Sequence, residues 1–427
     1  MADGTEIVCG SGLVSAGDPV SAADELSDRL GVSSPDLVMV FASAEHAGRM
    51  GMVEDRVRQR TGARHIVALT AGGVMGGGSD GHGGGAMAGM AMRLPGVRLR
   101  PFWIEPGATS RSPGERAAEL GEQIGAGDDL RGAFVFADPF SVPLVNLIPD
   151  LAACRTRRVT PGGREEPIGV IAGGLASAAN QPGRNTLVCD GRIRTSGAMG
   201  VALSGEVRID AVVSQGCRPF GPRMVITKAR GNLILELGGE RAVEAVRVSV
   251  RTLDDDDRRL LGGALLMGRA IDETKQHLGR GDYLVRGVLG ADEESGSIAV
   301  GDLVRAGQTV RLHLRDARTA REDLSLLMDG QRLHGQPAGA LMFSCVDRGE
   351  AFFGSPGHDA GAVSRAFDPM PDGPQAAKTG EAVGPGSGIP LAGFFAAGEI
   401  GPIGDEIYHH EQTAVAVMIR NPDESID

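Results

Sequence analysis

The chain has 427 residues, with 43 Lys and Arg against 55 Asp and Glu, and a net charge of -12. This length predicts two domains or one large layered unit, and the acidic balance argues against a general nucleic-acid or anionic-membrane surface. The sequence has no run approaching the roughly 20 apolar residues of a membrane-spanning helix and no signal-peptide pattern at its start, so we expect a cytoplasmic protein.

The cysteine and glycine contents narrow the class of protein further. Five cysteines are scattered without a CxxC pair, which predicts reduced thiols rather than a disulfide framework or a cysteine zinc site. Sixty-six glycines and only 4% aromatic residues predict many tight turns and cores built from Val, Leu, Ala and Met.

The first part of the chain alternates apolar runs with helical patterns. Residues 1–35 are predicted as an arm and a short helix. Leu37–His46 and His65–Gly73 lack polar alternation, which is typical of strands covered on both faces, and Gly48–Thr61 between them favours a helix. The glycine-rich loop Gly72–Gly85 lacks the GK[ST] sequence of a phosphate loop, which disfavours a nucleotide site.

The same order of elements recurs further along the chain. Leu130–Pro139 echoes the first apolar run, Pro167–Ser177 echoes the second, and a helical pattern over Ser141–Cys154 separates them. We infer an internal duplication of a strand, helix, strand, glycine loop, strand, strand unit in the N-terminal half. Coincidence among glycine-rich strings is the alternative.

The second half begins with a helical pattern and returns to strands. Ala242–His277 is predicted as a broken helical region, Tyr283–Asp316 as two strand runs, Ala317–Met328 as a helix and Ala340–Val346 as a buried strand. Residues 355–390 are rich in Gly, Pro, Asp and Ser, which predicts a partial helix followed by a loop.

The stretch Leu391–Ile419 has two apolar runs separated by a glycine-rich bend. This pattern predicts a long hairpin whose tip carries Glu399, Asp405 and His409. A carboxylate such as Glu399 between buried runs needs a partner.

Arg348 and Glu399 each follow a predicted buried strand. A guanidinium can pair bidentately with a carboxylate, and a glutamate can accept a hydrogen bond from an ammonium group, so together they would suit a zwitterion. The alternative is that Arg348 and Glu399 pair with each other.

Two other chemistries are open from the residue types. Cys345 near Asp347, or Cys217 near Arg218, could act as a nucleophile with a histidine as base, although no motif joins them. Haem or a metal would draw its ligands from the scattered histidines, which show no metal-binding spacing. These histidines are His82, His358, His409 and His410.

Three motifs together resemble the FIST family. They are SQGCRPFG (Ser214–Gly221), ALMFSCVDRG (Ala340–Gly349) and GFFAAGEIGPIG (Gly393–Gly404), followed by His409 and a closing strand. The resemblance spans the chain from about Leu37 to Ile419. It implies a FIST N-like domain over residues 36–240 and a FIST C-like domain over residues 241–427. This chain departs from the family pattern at Asp347, where glycine is common, and in the doubled His409-His410.

The resemblance implies a cytoplasmic, non-catalytic sensory module of signal transduction that binds a small, amino-acid-like ligand. Some members bind haem and respond to nitric oxide, which leaves a haem sensor regulating a partner kinase as an alternative, beside a cysteine-dependent enzyme. We expect an α+β fold with α/β layers and mixed sheets, duplicated in its N-terminal half and related in its C-terminal domain. The expected partners are a small molecule and a signalling protein, with no nucleic acid and no membrane. The predicted ligand-binding residues are Cys345, Arg348, Gly349, Glu399, Gly401 and His409.

Overall fold

The structure is a computed structural model that describes residues 6–106, 111–160, 162–262, 265–368 and 388–422. The chain packs into two compact units. The first comprises residues 1–213, 325–409 and 414–427, and the second comprises residues 214–324 and 410–413. These units are defined by packing, so the predicted division at residues 240 and 241 stays a prediction.

The helices and strands follow one another in a recurring order. The first half contains β1 (Val8–Ser15), α1 (Pro19–Leu30), β2 (Leu37–Ser43), α2 (Met50–Thr61), β3 (His65–Ala71), β4 (Val74–Gly76), β5 (Ser79–Gly81), β6 (Ala86–Arg93), β7 (Val97–Ile104), α3 (Pro113–Ile124), β8 (Leu130–Ala137), α4 (Leu144–Ala153), β9 (Arg157–Val159), β10 (Glu165–Pro167), β11 (Val170–Leu175), β12 (Leu187–Cys189), β13 (Arg192–Arg194), β14 (Ala198–Gly205) and β15 (Arg208–Gln215). The second half contains β16 (Cys217–Arg230), β17 (Leu233–Leu237), β18 (Glu240–Arg241), α5 (Ala242–Arg251), α6 (Asp255–Leu260), β19 (Leu266–Ala270), β20 (Tyr283–Asp292), β21 (Ser297–Val300), β22 (Thr309–Arg315), α7 (Ala317–Arg332), β23 (Gly339–Cys345), α8 (Glu350–Phe353), α9 (His358–Arg365), β24 (Leu391–Ala396), β25 (Glu399–Ile403), β26 (Glu406–His410) and β27 (Thr413–Arg420).

Three six-stranded sheets share one strand order. They are β1-β6-β2-β3-β12-β13, β7-β14-β8-β11-β25-β26 and β15-β27-β23-β24-β4-β5. In each sheet the first four strands belong to one copy of the repeat, and the last two strands form a hairpin from another copy. The first sheet takes its hairpin from the second copy, the second sheet from the third copy, and the third sheet from the first copy. The predicted duplication is therefore confirmed, and the C-terminal part supplies a third copy. With 25% helix and 42% strand, the fold is α+β as expected.

Four phenylalanines form the centre of the core where the copies meet. Phe41 comes from the first copy, Phe136 from the second, and Phe343 and Phe394 from the third, and their ring centroids lie 5.2–6.1 Å apart. Full burial of one such side chain stabilises the fold by about 1.5–3 kcal/mol. All three copies of the repeat thus contribute an aromatic side chain to the junction that the hairpin exchange creates.

The predicted hairpin over Leu391–Ile419 is wrong. Its two apolar runs, β24 and β27, do not pair with each other, because β23 lies between them, parallel to β24 and antiparallel to β27. The bend between them forms its own hairpin, β25-β26, which joins a different sheet through β11. Both apolar runs are buried along their whole length, so each needs strands on both sides rather than an exposed hairpin edge.

The second unit contains the seven-stranded sheet β16-β22-β19-β20-β21-β17-β18. Two further predictions are wrong here. Leu266–Ala270 was expected to be helical but is a strand paired with β20 and β22. The glycines and prolines of the stretch Gln215–Pro222 predict a turn at Cys217, but Cys217 begins the long strand β16. In both cases the pairing of neighbouring strands overrides the local pattern.

The loop expected after residue 355 is described only in part. Helix α9 accounts for its helical portion, and residues 369–387 lie outside the described residues. Within the described ranges, none of the helices is both long enough and apolar enough to cross a bilayer.

Candidate functional site

The predicted site residues follow two neighbouring parallel strands. β23 and β24 run parallel, with Cys345 opposite Ala396 in register. Arg348 ends the short 3-10 turn after β23, and Glu399 begins β25 after β24. The carboxyl ends of neighbouring parallel strands lie at the same sheet edge, which is where ligands bind in many α/β folds.

Arg348 is fully buried and holds a carboxylate that the sequence did not identify as its partner. Its Nε donates to Asp359 Oδ2 at 2.8 Å and its Nη2 donates to Asp359 Oδ1 at 3.0 Å. Both side chains are almost inaccessible to solvent, with 0% and 2% exposed. The bidentate geometry predicted for a ligand carboxylate is therefore used by a residue of the protein itself.

The ion pair fixes the charge of both groups. Burial opposes the charged carboxylate of Asp359, but the Arg348 guanidinium, assisted by His358, outweighs burial and lowers the pKa of Asp359. Burial also opposes the charge of Arg348, but the carboxylate of Asp359 raises the pKa of Arg348, with smaller contributions from Cys345 and Glu399. Arg348 is thus a permanent cation at this edge of the sheet.

Further side chains hold the pair in place. Ser344 Oγ donates to Asp359 Oδ2 at 3.0 Å, and His358 Nδ1 lies 3.2 Å from Asp359 Oδ1. The His358 ring stacks on Phe353 at 3.9 Å between centroids, and the Arg348 guanidinium lies 5.3 Å from the centre of the same Phe353 ring. The carboxylate therefore has three partners and little freedom to turn away.

One nitrogen of Arg348 remains available for a further acceptor. Nη1 is buried and has no hydrogen-bond partner among the residues that the structure describes. A buried N–H group without an acceptor costs about 1–3 kcal/mol. Such a group needs an explanation, and a bound ligand is one.

Glu399 and Gly401 lie on β25 in the neighbouring sheet. Glu399 is fully buried and sits opposite Gly174 of β11. A Cβ atom at Gly401 would lie 3.0 Å from the methyl groups of both Val213 and Val415. Gly401 thus allows close packing of its strand, and the local contacts give it a structural role.

Gly349 and His409 border the two strand ends. A Cβ atom at Gly398, just before Glu399, would overlap the imidazole of His409. A Cβ atom at Gly349 would lie 3.9 Å from the ring of His82, which in turn lies 4.8 Å from the Phe395 ring. His82 belongs to the glycine-rich loop of the first copy and is half-exposed, so residues far apart in sequence contribute to this edge.

The cysteines and histidines do not form an evident reactive or metal centre. All five cysteines are described and none is in a disulfide, and Cys345 is buried at the end of β23. Across the described ranges, His, Cys, Asp and Glu side chains do not gather in groups of three that could hold a metal ion.

Asp359 is the residue that the sequence analysis missed. It lies on α9 with Ala360 and Val363, which are also buried, so the helical spacing of these apolar residues could have placed Asp359 on an inward face. A buried arginine such as Arg348 requires a nearby carboxylate, and that requirement was assigned to Glu399 alone.

The sequence matches known families and known proteins over most of its length. Residues 36–240 match the FIST N domain and residues 245–402 match the FIST C domain. Over 398 residues the chain is 32% identical to the uncharacterized protein Mb0898c of Mycobacterium bovis, which covers 92% of this chain and 93% of the relative. Over 285 residues it is 36% identical to the uncharacterized protein MT0656 of Mycobacterium tuberculosis, covering 66% of each chain.

Proposed function

The chain belongs to the FIST family, whose domains are sensory domains of signal transduction, and from this premise we propose that it is a cytoplasmic, non-catalytic sensor of an amino-acid-like ligand. The observation that carries the proposal is the buried Nη1 of Arg348, which lacks an acceptor among the described residues. A ligand carboxylate would supply that acceptor.

The proposed mode of binding differs from a bidentate clamp. Asp359 already occupies Nε and Nη2 of Arg348, so one oxygen of the ligand carboxylate would accept from Nη1 alone. Asp359 would act as the positioning residue, because it fixes the plane of the guanidinium before the ligand arrives. Such preorganisation reduces the entropy lost on binding.

The remaining residues would recognise the other end of the ligand. The negative charge of Glu399 contributes to raising the pKa of Arg348, which supports an arrangement of opposite charges suited to a zwitterion. Glu399 would accept from the ligand ammonium group. Cys345, Gly349 and His409 would border the ligand, and Gly401 would support the strand through its packing against valines.

Calorimetric titration with a panel of amino acids tests the proposal. Arg348→Lys keeps the charge but loses the planar fork, and Glu399→Gln keeps the shape but loses the charge. A hydrogen bond to a charged group contributes about 1.5–3 kcal/mol, so each variant should weaken binding roughly tenfold or more.

Arg420→Lys is the matched control for replacing a buried arginine. Arg420 is 4% exposed and donates to Asp210 at 2.8 Å, away from the proposed site. It should lower stability without changing affinity for the ligand. Binding that is equal in all variants, or absent from the wild type, would sink the proposal.

Two measurements address the alternatives. A Soret band on haem addition that disappears in His409→Ala would favour the haem sensor over the amino-acid sensor. Affinity capture with and without the bound amino acid tests the proposed signalling partner: recovery of a protein that depends on the ligand supports a sensor with a partner.

A further inference from the structure

A cavity in the first unit is lined by residues other than those of the proposed amino-acid site. It has a volume of about 320 Å³ and is lined by residues of β11, β15 and the turn between β25 and β26. This volume is at the lower end of small-molecule sites. Its apolar lining comes from Val170, Ile209 and Ala211, and its charged lining comes from Arg155, Asp210 and Asp405.

Arg155 is a buried cation whose hydrogen bonds, among the described residues, go to no carboxylate. It is 8% exposed, and among the described residues its hydrogen-bond partners are two backbone carbonyls, those of Asp405 at 2.9 Å and Gly169 at 3.3 Å. Its Nε is buried without an acceptor among these residues. Burial lowers the pKa of Arg155, although the half-exposed Glu406 acts in the opposite direction.

The two carboxylates that line the cavity are engaged elsewhere. Asp210 accepts from Arg420 at 2.8 Å and from Arg208 at 3.1 Å. Asp405 accepts from Arg164 at the rim. Each carboxylate is hydrogen-bonded to another arginine, so among the described contacts Arg155 bonds to carbonyls and not to a carboxylate, although Asp405 and Glu406 both act to raise its pKa.

We propose that this cavity binds a small aliphatic carboxylic acid, with its carboxylate on Arg155 and its carbon chain on Val170, Ile209 and Ala211. The guanidinium has five N–H groups and uses two of them for the carbonyls, which leaves donors for a carboxylate. The apolar lining favours a carbon chain over an inorganic anion, because filling it removes apolar surface from water. This site is separate from the proposed amino-acid site.

Titration of the full chain with butyrate tests the assignment. Arg155→Gln should weaken butyrate binding about tenfold or more, because a charge-assisted hydrogen bond is lost. Arg98→Gln removes the same charge from an exposed surface pair with Asp129, where the Arg98 side chain is 69% exposed and does not line the cavity, and should change the affinity less than about threefold because exposed charges are screened. Equal affinity of wild type and Arg155→Gln would overturn the proposal.

Three further measurements complete the test. Ala211→Leu fills the cavity without altering Arg155. It should abolish butyrate binding while the circular dichroism spectrum stays that of the wild type. Retained butyrate binding in Ala211→Leu would overturn the assignment even if Arg155→Gln fails to fold. Inorganic phosphate should bind more weakly than butyrate, and stronger phosphate binding would overturn the carbon-chain subsite. Arg348→Lys should leave butyrate affinity unchanged, which separates this site from the amino-acid site.

Discussion

The buried pair of Arg348 and Asp359 makes a quantitative prediction about stability. Asp359→Asn keeps the size of the side chain but leaves the Arg348 cation buried without a compensating charge. Breaking a buried ion pair by removing one partner costs about 3–5 kcal/mol. Because asparagine keeps one oxygen that can accept from Arg348, we expect a loss of unfolding free energy near 3 kcal/mol.

Denaturant unfolding at neutral pH measures this loss as a shift of the midpoint at constant slope. The control is Glu25→Gln, which removes an exposed pair with Arg29 whose side chains are 46% and 52% exposed. Such surface pairs contribute about 0–1 kcal/mol. An Asp359→Asn variant no less stable than Glu25→Gln would show that the buried pair of Arg348 and Asp359 does not stabilise the fold.

The pH dependence of the same variant provides an independent check. Because the pKa of Asp359 is lowered below 3.8 in the folded protein, the contribution to stability is fully present above that value and is lost as the pH falls below it. The difference between wild type and Asp359→Asn should therefore be constant from about pH 5 to 8 and shrink below about pH 4. A difference that instead grows on acidification would contradict the assigned charge states.

Three further predictions concern other parts of the chain. Burial lowers the pKa of His313 from 6.5 to about 4, so the unfolded chain binds a proton more readily than the folded protein as the pH falls. The unfolding free energy should therefore fall by on the order of 3 kcal/mol between neutral pH and about pH 4.5. His313→Gln should remove this fall, as measured by denaturant unfolding. Gly85 has φ +74°, and a Cβ atom there would overlap the carbonyl oxygen of Ala16, whereas Gly77 has φ +58° and open surroundings. In thermal unfolding, Gly77→Ala should lower the unfolding free energy by about 1 kcal/mol, and Gly85→Ala should lower it by more. Burial raises the pKa of the Cys154 and Cys189 thiols to about 12, so mass spectrometry should find both unmodified after mild alkylation at neutral pH, and fast labelling would contradict their burial.

Much of the fold was predictable because buried strands leave a strong pattern. The apolar runs of β2, β3, β8 and β11 and the glycines that follow them revealed the repeat in the sequence. The exchange of hairpins between copies could not be predicted, because a strand pattern specifies burial and not the identity of the neighbouring strand. For the same reason the hairpin predicted over Leu391–Ile419 is wrong, because its two apolar runs pair with β23 rather than with each other.

The candidate site was predictable only in part. Arg348 and Glu399 were identified because each follows a buried strand, and the order of the parallel strands β23 and β24 brings their carboxyl ends to one edge. Asp359 was missed because the inward face of the partial helix expected after residue 355 was not identified, and the carboxylate that Arg348 needs was assigned to Glu399. The contribution of His82 depends on the long-range folding of the glycine loop beside Gly349, which no local pattern encodes.

Native mass spectrometry of the purified chain is the most direct test of ligand binding at Arg348 and Glu399. We expect the wild type and Arg420→Lys to retain an added mass matching a small amino-acid-like molecule, and Arg348→Lys and Glu399→Gln to lose it. Equal retention in all four proteins, or a wild type that shows no added mass with any amino acid supplied, would contradict the assignment of Arg348 and Glu399 as ligand-binding residues.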